Sequence, residues 1–200
     1  MSVGAATNDF EHRPVMLDEI TQLFAEVPAG TIVDATLGGG GHSAAILEAH
    51  AHLDVLGIDQ DTDALAAATT RLHSQQHRMR TSHRRFNEFQ EALDDHDITG
   101  ISGALFDLGV SSPQLDRGER GFSYRNDGPL DMRMNSDQQW SAADVVNGYD
   151  ESELAHIIRK YGDEKFARRI ASSIVASRPL TTTTQLAEAV TNAIPAPARR

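Results

Sequence analysis

Residues 31–43 read T-I-V-D-A-T-L-G-G-G-G-H-S, and the fold turns on this stretch. A short apolar run ends in four consecutive glycines, the pattern of a buried strand entering a tight turn. His42 to Ala49 then has the spacing of a helix. Downstream, D-V-L-G-I forms a second strand ending at Asp59. A helix follows, with Leu65, Ala68 and Leu72 on one stripe and Asp61 and Asp63 at its start, where acids complement the helix dipole. A weaker strand is expected over Arg80 to His83, and a clear one over Ile101 to Leu108, stopped by Gly109. Upstream, Met16, Ile20, Leu23 and Phe24 recur at helical spacing until P-A-G at 28–30. Strands alternating with helices in this way predict an α/β chain built on a doubly wound, Rossmann-like parallel sheet. Such sheets bind ligands beyond the carboxyl ends of their strands. Asp34, Asp59 and Asp107 all fall at or near strand ends, so the pattern brings three acids to one sheet edge.

After Val110 the pattern changes. Residues 111–135 are rich in Gly, Pro, Ser, Asp and Arg, which predicts a long irregular loop, and loops of that length usually carry function. From about Ser141 onward the sequence reads as helical. Asp150 with Glu153 has the form of a capping box, and Phe166, Ile170 and Ile174 make an apolar stripe ending before Pro179. Thr184 is the expected cap of a last helix that stops before Pro195. The expected organisation is an α/β ligand-binding part over 1–110, followed by a loop and a helical subdomain over 111–200.

Composition narrows the class. With 40% hydrophobic and 24% charged residues, the 200-residue chain is globular, not disordered. It has no cysteine, which excludes disulfides and thiolate metal sites. The first residues lack the basic and apolar regions of a secretory signal, and no apolar run is long enough to span a bilayer. A cytoplasmic location without membrane contact is expected. The net charge of −11 weighs against nucleic acid as a partner, although basic residues cluster locally. Arg78, Arg80, Arg84 and Arg85 form one group, and Arg117, Arg120, Arg125 and Arg133 another. A third comprises Arg159, Lys160, Lys165, Arg168 and Arg169. Taken singly, each group reads as a solvated face.

The glycine loop leaves two ligands open. Gly39, Gly41 and Ala44 satisfy G-x-G-x-x-A, and Asp59 lies at about the distance of a ribose-binding acid, which fits a nicotinamide dehydrogenase. Asp34 tilts the balance. A carboxylate beside the turn repels a pyrophosphate, but suits the cationic sulfonium and ammonium of S-adenosylmethionine. Asp59 serves either ligand, since ribose hydroxyls favour a charged acceptor. His42 opens the helix after the glycines and is either an exposed turn residue or a cofactor contact. The histidines, His50 and His52 included, form no coherent metal site, so no metal is expected.

Longer stretches are more specific. H-R-P-V-M-L-D-E (12–19), V-D-A-T-L-G-G-G-G-H-S (33–43) and D-L-G-V-S-S-P-Q-L-D (107–116) are followed by R-G-F-S-Y-R-N-D-G-P-L-D-M-R-M (120–134) and Y-G-D-E-K-F-A-R-R-I-A (161–171). Together they resemble the ribosomal RNA small subunit methyltransferase H family, bacterial enzymes that methylate the exocyclic N4 amine of a cytidine in the decoding region. The resemblance implies a class I methyltransferase sheet with a helical insertion after the fourth strand, and S-adenosylmethionine as cofactor. It assigns Gly40, Gly41 and His42 to the cofactor loop, Asp59 to the ribose, Phe86 to the neighbourhood of the adenine, and Asp107 and Gln114 to the remaining contacts. It implies small-subunit ribosomal RNA as partner, presented as an assembled subunit, with the arginine-rich loop at 117–133 as a contact. Similar proteins continue beyond P-A-P-A-R-R with the last strands of the sheet, so the chain is expected to be a C-terminally truncated form. Where related amine methyltransferases carry a polar-Pro-Pro-aromatic motif, this chain has S-S-P-Q. Ser112 and the carbonyls around Pro113 are the candidates to orient the amine, and Phe122 and Tyr124 to stack on a base. The competing readings are an NAD-dependent oxidoreductase and a non-catalytic RNA-binding fragment.

Overall fold

Ile32 and Val33 in one strand, and Val55, Leu56 and Ile58 in the next, are all but inaccessible to solvent. Neighbouring side chains on a strand point to opposite faces, so a continuous apolar run requires a sheet covered on both sides. The computed structural model, which describes residues 13–198, has that sheet. Its strands are β1 (Gly30–Asp34), β2 (Leu53–Asp59), β3 (Met79–His83) and β4 (Gly103–Leu105), all parallel, in the order β3-β2-β1-β4. The helices around it are α1 (Leu17–Leu23), α2 (Gly41–Ala49), α3 (Thr62–Arg71) and α4 (Phe89–Asp95). Ile32 packs with Phe24, Ile46 and Leu53, whereas Val33 packs with Leu56, Ile58, Ala92, Leu93 and Ile98. The parallel register puts Asp34 level with Gly57 and Leu105, and Asp59 level with His83. All four carboxyl ends therefore open on one edge.

The fourth strand is shorter than the Ile101–Leu108 expectation. Pairing stops at Leu105, and Phe106 and Leu108 are exposed. The Asp107 N–H turns out of the ladder to donate to the Thr36 hydroxyl (2.7 Å).

The chain divides into two compact units at Gly109–Val110. In the second, the stretch expected to be wholly irregular contains a short helix, α5 (Ser112–Asp116), with Ser111 and Gln114 forming a capping box. The remaining helices are α6 (Ala142–Gly148), α7 (Glu151–Gly162), α8 (Ala167–Ala176) and α9 (Thr183–Ala193). Leu130, Val146, Leu154, Ile170, Ile174, Leu180 and Ala189 belong to their common core. Asp150 caps α7 with Glu153 as expected. The cap of α9 is Thr182, not Thr184, because Gln185 completes a box with Thr182 while the Thr184 N–H is taken by Asp127 (3.1 Å).

Candidate functional site

Asp34 closes β1 with its side chain buried. Its Oδ2 accepts from the Ser43 hydroxyl (2.7 Å) and its Oδ1 from the Thr36 N–H (3.3 Å). Burial pushes this carboxyl above its ordinary range, against the lowering effect of the Ser43 and Thr36 hydrogen bonds. Asp34 thus fastens the strand end to the first turn of α2. This corrects the expectation that its charge faces a cationic ligand: the lone pairs point inward.

Asp59 ends β2 and is half-buried. Its Oδ2 accepts from the Gly38 N–H (2.8 Å) and its Oδ1 from the Asp61 N–H (2.9 Å). Desolvation raises its pKa, and the backbone N–H groups of Asp61, Gly38 and Gln60 hold it down in part. A carboxylate has about four acceptor positions, so three backbone donors still leave room for a ligand hydroxyl. Asp107 is anchored through its own N–H to Thr36 and leaves its carboxylate half exposed, at 52% of its side-chain surface.

Between these acids runs the glycine loop. The Leu37 N–H donates to the Ile58 carbonyl (3.0 Å) and the Gly40 N–H to the Leu37 carbonyl (2.9 Å), which folds the loop over the strand ends. Gly40 has φ +73°, a conformation that side chains other than glycine rarely adopt, and a Cβ there would lie 3.0 Å from Leu72 and 3.1 Å from Ala68. Gly41 is required by Pro14, whose Cγ would lie 2.5 Å from an added Cβ. Neither glycine, then, owes its identity to a ligand. Gly39 differs: it is exposed, and a Cβ on it would meet nothing within 4 Å.

His42 is buried, and its Nε2 donates to the Val15 carbonyl (2.9 Å). A carbonyl only accepts, so Nε2 carries the hydrogen and Nδ1 is left 4.0 Å from Asp107 Oδ2. Phe86 follows β3 and is 44% exposed, with its ring edge-on to Phe106 (6.4 Å, 89°). Phe106 in turn stacks on Phe89 (6.2 Å, 21°).

Hydrogen bonds and ring contacts thus tie Gly40, Gly41, His42, Asp59, Phe86 and Asp107 into one edge of the first unit. Gln114 belongs to the second unit, where it is buried and its Oε1 accepts from the Ser111 N–H (3.0 Å). Two of the carbonyls in and around S-S-P-Q already accept hydrogen bonds from their own helix turn. Ser111 O accepts from Gln114 N (3.0 Å) and Leu115 N (3.2 Å), and Pro113 O from Arg117 N (3.2 Å). Tyr124 is exposed and Phe122 half-buried, with no further sign of a base-stacking platform. Two of the four arginines of the 117–133 loop have partners within the loop. Arg133 makes a paired contact with Asp131 and donates to the carbonyls of Ser136 and Gln138, and Arg120 donates to those of Arg133 and Met134. They brace the loop. Sequence reasoning missed Thr36, Phe106 and the Pro14–Val15 pair. Their signal was adjacency to named motifs, not residue chemistry.

The edge offers an acid with spare acceptor positions, an exposed aromatic ring and a bare stretch of backbone, which together fit a nucleoside-bearing ligand. No group of three or more His, Cys, Asp or Glu able to hold a metal ion occurs among the described residues. Residues 9–200 match the model of the MraW methylase family. The chain is 49% identical over 195 residues to a ribosomal RNA small subunit methyltransferase H of Thermobifida fusca, an alignment covering 94% of this chain and 59% of the relative. It is 48% identical over 203 residues to the protein of that name in Mycolicibacterium gilvum (98% and 55% covered). It is 47% identical over 196 residues to the one in Frankia alni (94% and 60% covered). The chain therefore spans between half and two thirds of the length of these curated relatives.

Proposed function

Because the chain belongs to the MraW methylase family, we propose that it carries the S-adenosylmethionine site of a methyltransferase acting on small-subunit ribosomal RNA, at the N4 amine of a cytidine in the decoding region. The observation that carries this reading is the family match over residues 9–200, joined by relatives named for that RNA. The strand-end geometry supports it. Asp59 would hold the ribose hydroxyls, with its spare acceptor positions already aimed by the Gly38 and Asp61 N–H groups. Phe86 would lie along the adenine, and the exposed Asp107 carboxylate beside His42 would meet the cationic end of the cofactor. Bound there, S-adenosylmethionine supplies a methyl group on an electrophilic sulfonium.

A cytosine amine is a weak nucleophile because its lone pair is delocalised into the ring. The protein's contribution is therefore orientation, and holding reacting atoms in line is worth several kcal/mol, on the order of 7–11 in the best intramolecular cases. The substrate is read as an assembled small subunit, in which the shape of the decoding region presents the base.

Titration calorimetry with S-adenosylhomocysteine tests the cofactor half. Asp59→Ala is expected to bind at least about tenfold more weakly, the loss of a charge-assisted hydrogen bond. Equal affinities would remove Asp59 from the site, and a chain that bound NADH but not S-adenosylhomocysteine would be an oxidoreductase. Methyl incorporation tests the target half: the whole protein should label small subunits far faster than free cytidine.

A further inference from the structure

The three arginine-rich stretches differ in what their cations touch. In the first, Arg78 donates to the carbonyls of Leu47, His50 and Leu53, Arg80 to that of His96, and Arg84 to the Asp95 carboxylate. In the second, Arg120 and Arg133 brace the loop. In the third, Arg159, Lys165, Arg168 and Arg169 make no hydrogen bond or ion pair with any described residue, and the Lys165 ammonium only overlies the Phe166 ring (5.3 Å). These four side chains line one groove of about 880 Å³ between α7 and α8, together with His156 and a single carboxylate, Glu151. The nearby Glu164 turns away and accepts from the Phe166 N–H (2.7 Å).

The chain has 29 acidic residues against 18 basic ones, so partners for four cations were available. The fold also places two of them badly for its own stability. Arg168 and Arg169 sit in the first turn of α8, where the helix dipole disfavours positive charge; the turn holds no acid, and the one carboxylate at this helix start, Glu164, is bonded to the Phe166 N–H rather than to either arginine. α7 and α9 both begin with a capping box. Cations without a partner in the chain, gathered on one groove and two of them at a helix N-terminus, raise the local positive potential and would be complemented by an anion outside the chain.

We propose that the α7–α8 groove is a phosphate-binding surface that docks the sugar-phosphate backbone of the RNA substrate. The assignment rests on the ribosomal RNA reading above and names where that RNA is held. Phosphate contacts position a nucleic acid without reading its sequence, and they make binding salt-dependent.

The test uses a fluorescein-labelled RNA hairpin carrying the decoding-region sequence, titrated by anisotropy across a range of salt. Arg168→Ala with Arg169→Ala should weaken binding at low salt at least about tenfold. It should flatten the dependence of log K on log salt by about 1.4, or about 0.7 for each phosphate lost in single strands. Glu151→Gln should tighten binding, a gain that misfolding cannot produce. S-adenosylhomocysteine affinity should not change, and the double alanine variant should melt no lower than the parent. Unaltered RNA affinity and salt slope in the double variant would overturn the groove and leave the RNA reading intact. Failure of the unmodified chain to bind either the hairpin or assembled small subunits would overturn both. Displacement of RNA by polyglutamate at equal charge would overturn the assignment to phosphodiester.

Discussion

The two units treat ionised side chains in opposite ways. In the sheet unit, Asp34 and Asp59 stand at buried strand ends, and desolvation raises both above the ordinary carboxylate range. In the helical unit, Asp127, Asp131, Asp144 and Asp150 lie near the surface at turns and helix starts, and hydrogen bonds lower all four. Acids of the second kind gain stability from their charge. Those of the first kind are charged at a cost, and what they supply is position: Asp34 aligns β1 with α2, and Asp59 holds the glycine loop. The cations divide in a similar way within the helical unit, since Arg120 and Arg133 of the loop are braced and the α7–α8 group is not. In the proposed reading, the cations without a partner in the chain face RNA, whereas a charge satisfied by its own loop is scaffold.

The G-P-L-D-M-R-M stretch is scaffold by that criterion, although it lies within one of the stretches that carry the family resemblance. Asp131 pairs with Arg133, the Leu130 carbonyl accepts from Ala143 N (2.7 Å), and the Gly128 carbonyl accepts from Thr183 N (2.9 Å). A Cβ on Gly128 would lie 1.8 Å from the Gly118 carbonyl oxygen, where only backbone movement makes room. Gly128→Ala is therefore expected to have the largest effect on stability, a loss of about 3 kcal/mol or more by denaturant unfolding. A variant within about 1 kcal/mol of the parent would show that the motif is not a brace, and the contrast with the groove would lose one side.

The sequence was a sound guide where periodicity spoke. β1, β2, α2 and α3 follow from apolar runs of the right period, and Asp61 caps α3 from the position the pattern gave it. It misled where two local signals competed. Phe106 and Leu108 prolong an apolar run, but a side chain distant in sequence, Thr36, draws Asp107 out of the ladder. Four consecutive threonines at 181–184 offered several caps, and Gln185, three residues after Thr182, chose among them. α5 is too short to show a period, though Ser111 with Gln114 already had the form of a capping box. At the site, sequence placed Asp34 correctly on the chain but not its direction. Ser43, nine residues away, turns that carboxylate inward, and no spacing rule encodes the turn.

The contrast between the acids can be sharpened with pH. The pKa of Asp34 is raised in the fold, so the native state holds its proton more tightly than the unfolded chain. Its stabilising contribution is present below the ordinary value of 3.8 and is lost as pH rises from there through the raised value. Asp34→Asn removes that loss. The variant should gain stability relative to the parent across that window, by at most about 1.4 kcal/mol per pH unit, and then keep the gain. Asp131 has the opposite sign. Its contribution is present above 3.8 and is lost as pH falls through its lowered value. Asp131→Asn should therefore lose stability relative to the parent at neutral pH, and the gap should close in acid. Urea midpoints of both variants at several pH values would decide, and slopes of the same sign would refute the comparison.

The smallest expected effect on stability separates glycines kept by the fold from one kept for a ligand. Gly40 and Gly41 are fixed by Ala68, Leu72 and Pro14, so substituting either disturbs packing and cannot isolate a ligand contact. Gly39 has a backbone conformation open to other residues, and a methyl added there would have no neighbour within 4 Å, so nothing in the chain demands glycine. Gly39→Ala should melt at the parent temperature or slightly above it, because alanine restricts the unfolded chain by about 0.4–1 kcal/mol. If the bare backbone at 39 is where a cofactor passes, the added methyl stands in the cofactor's place. Affinity for S-adenosylhomocysteine should then fall at least about tenfold while the fold is unharmed. Full affinity in Gly39→Ala would leave the glycine loop as a device for joining β1 to α2, with its ligand held by Asp59 and Phe86 from the neighbouring strand ends.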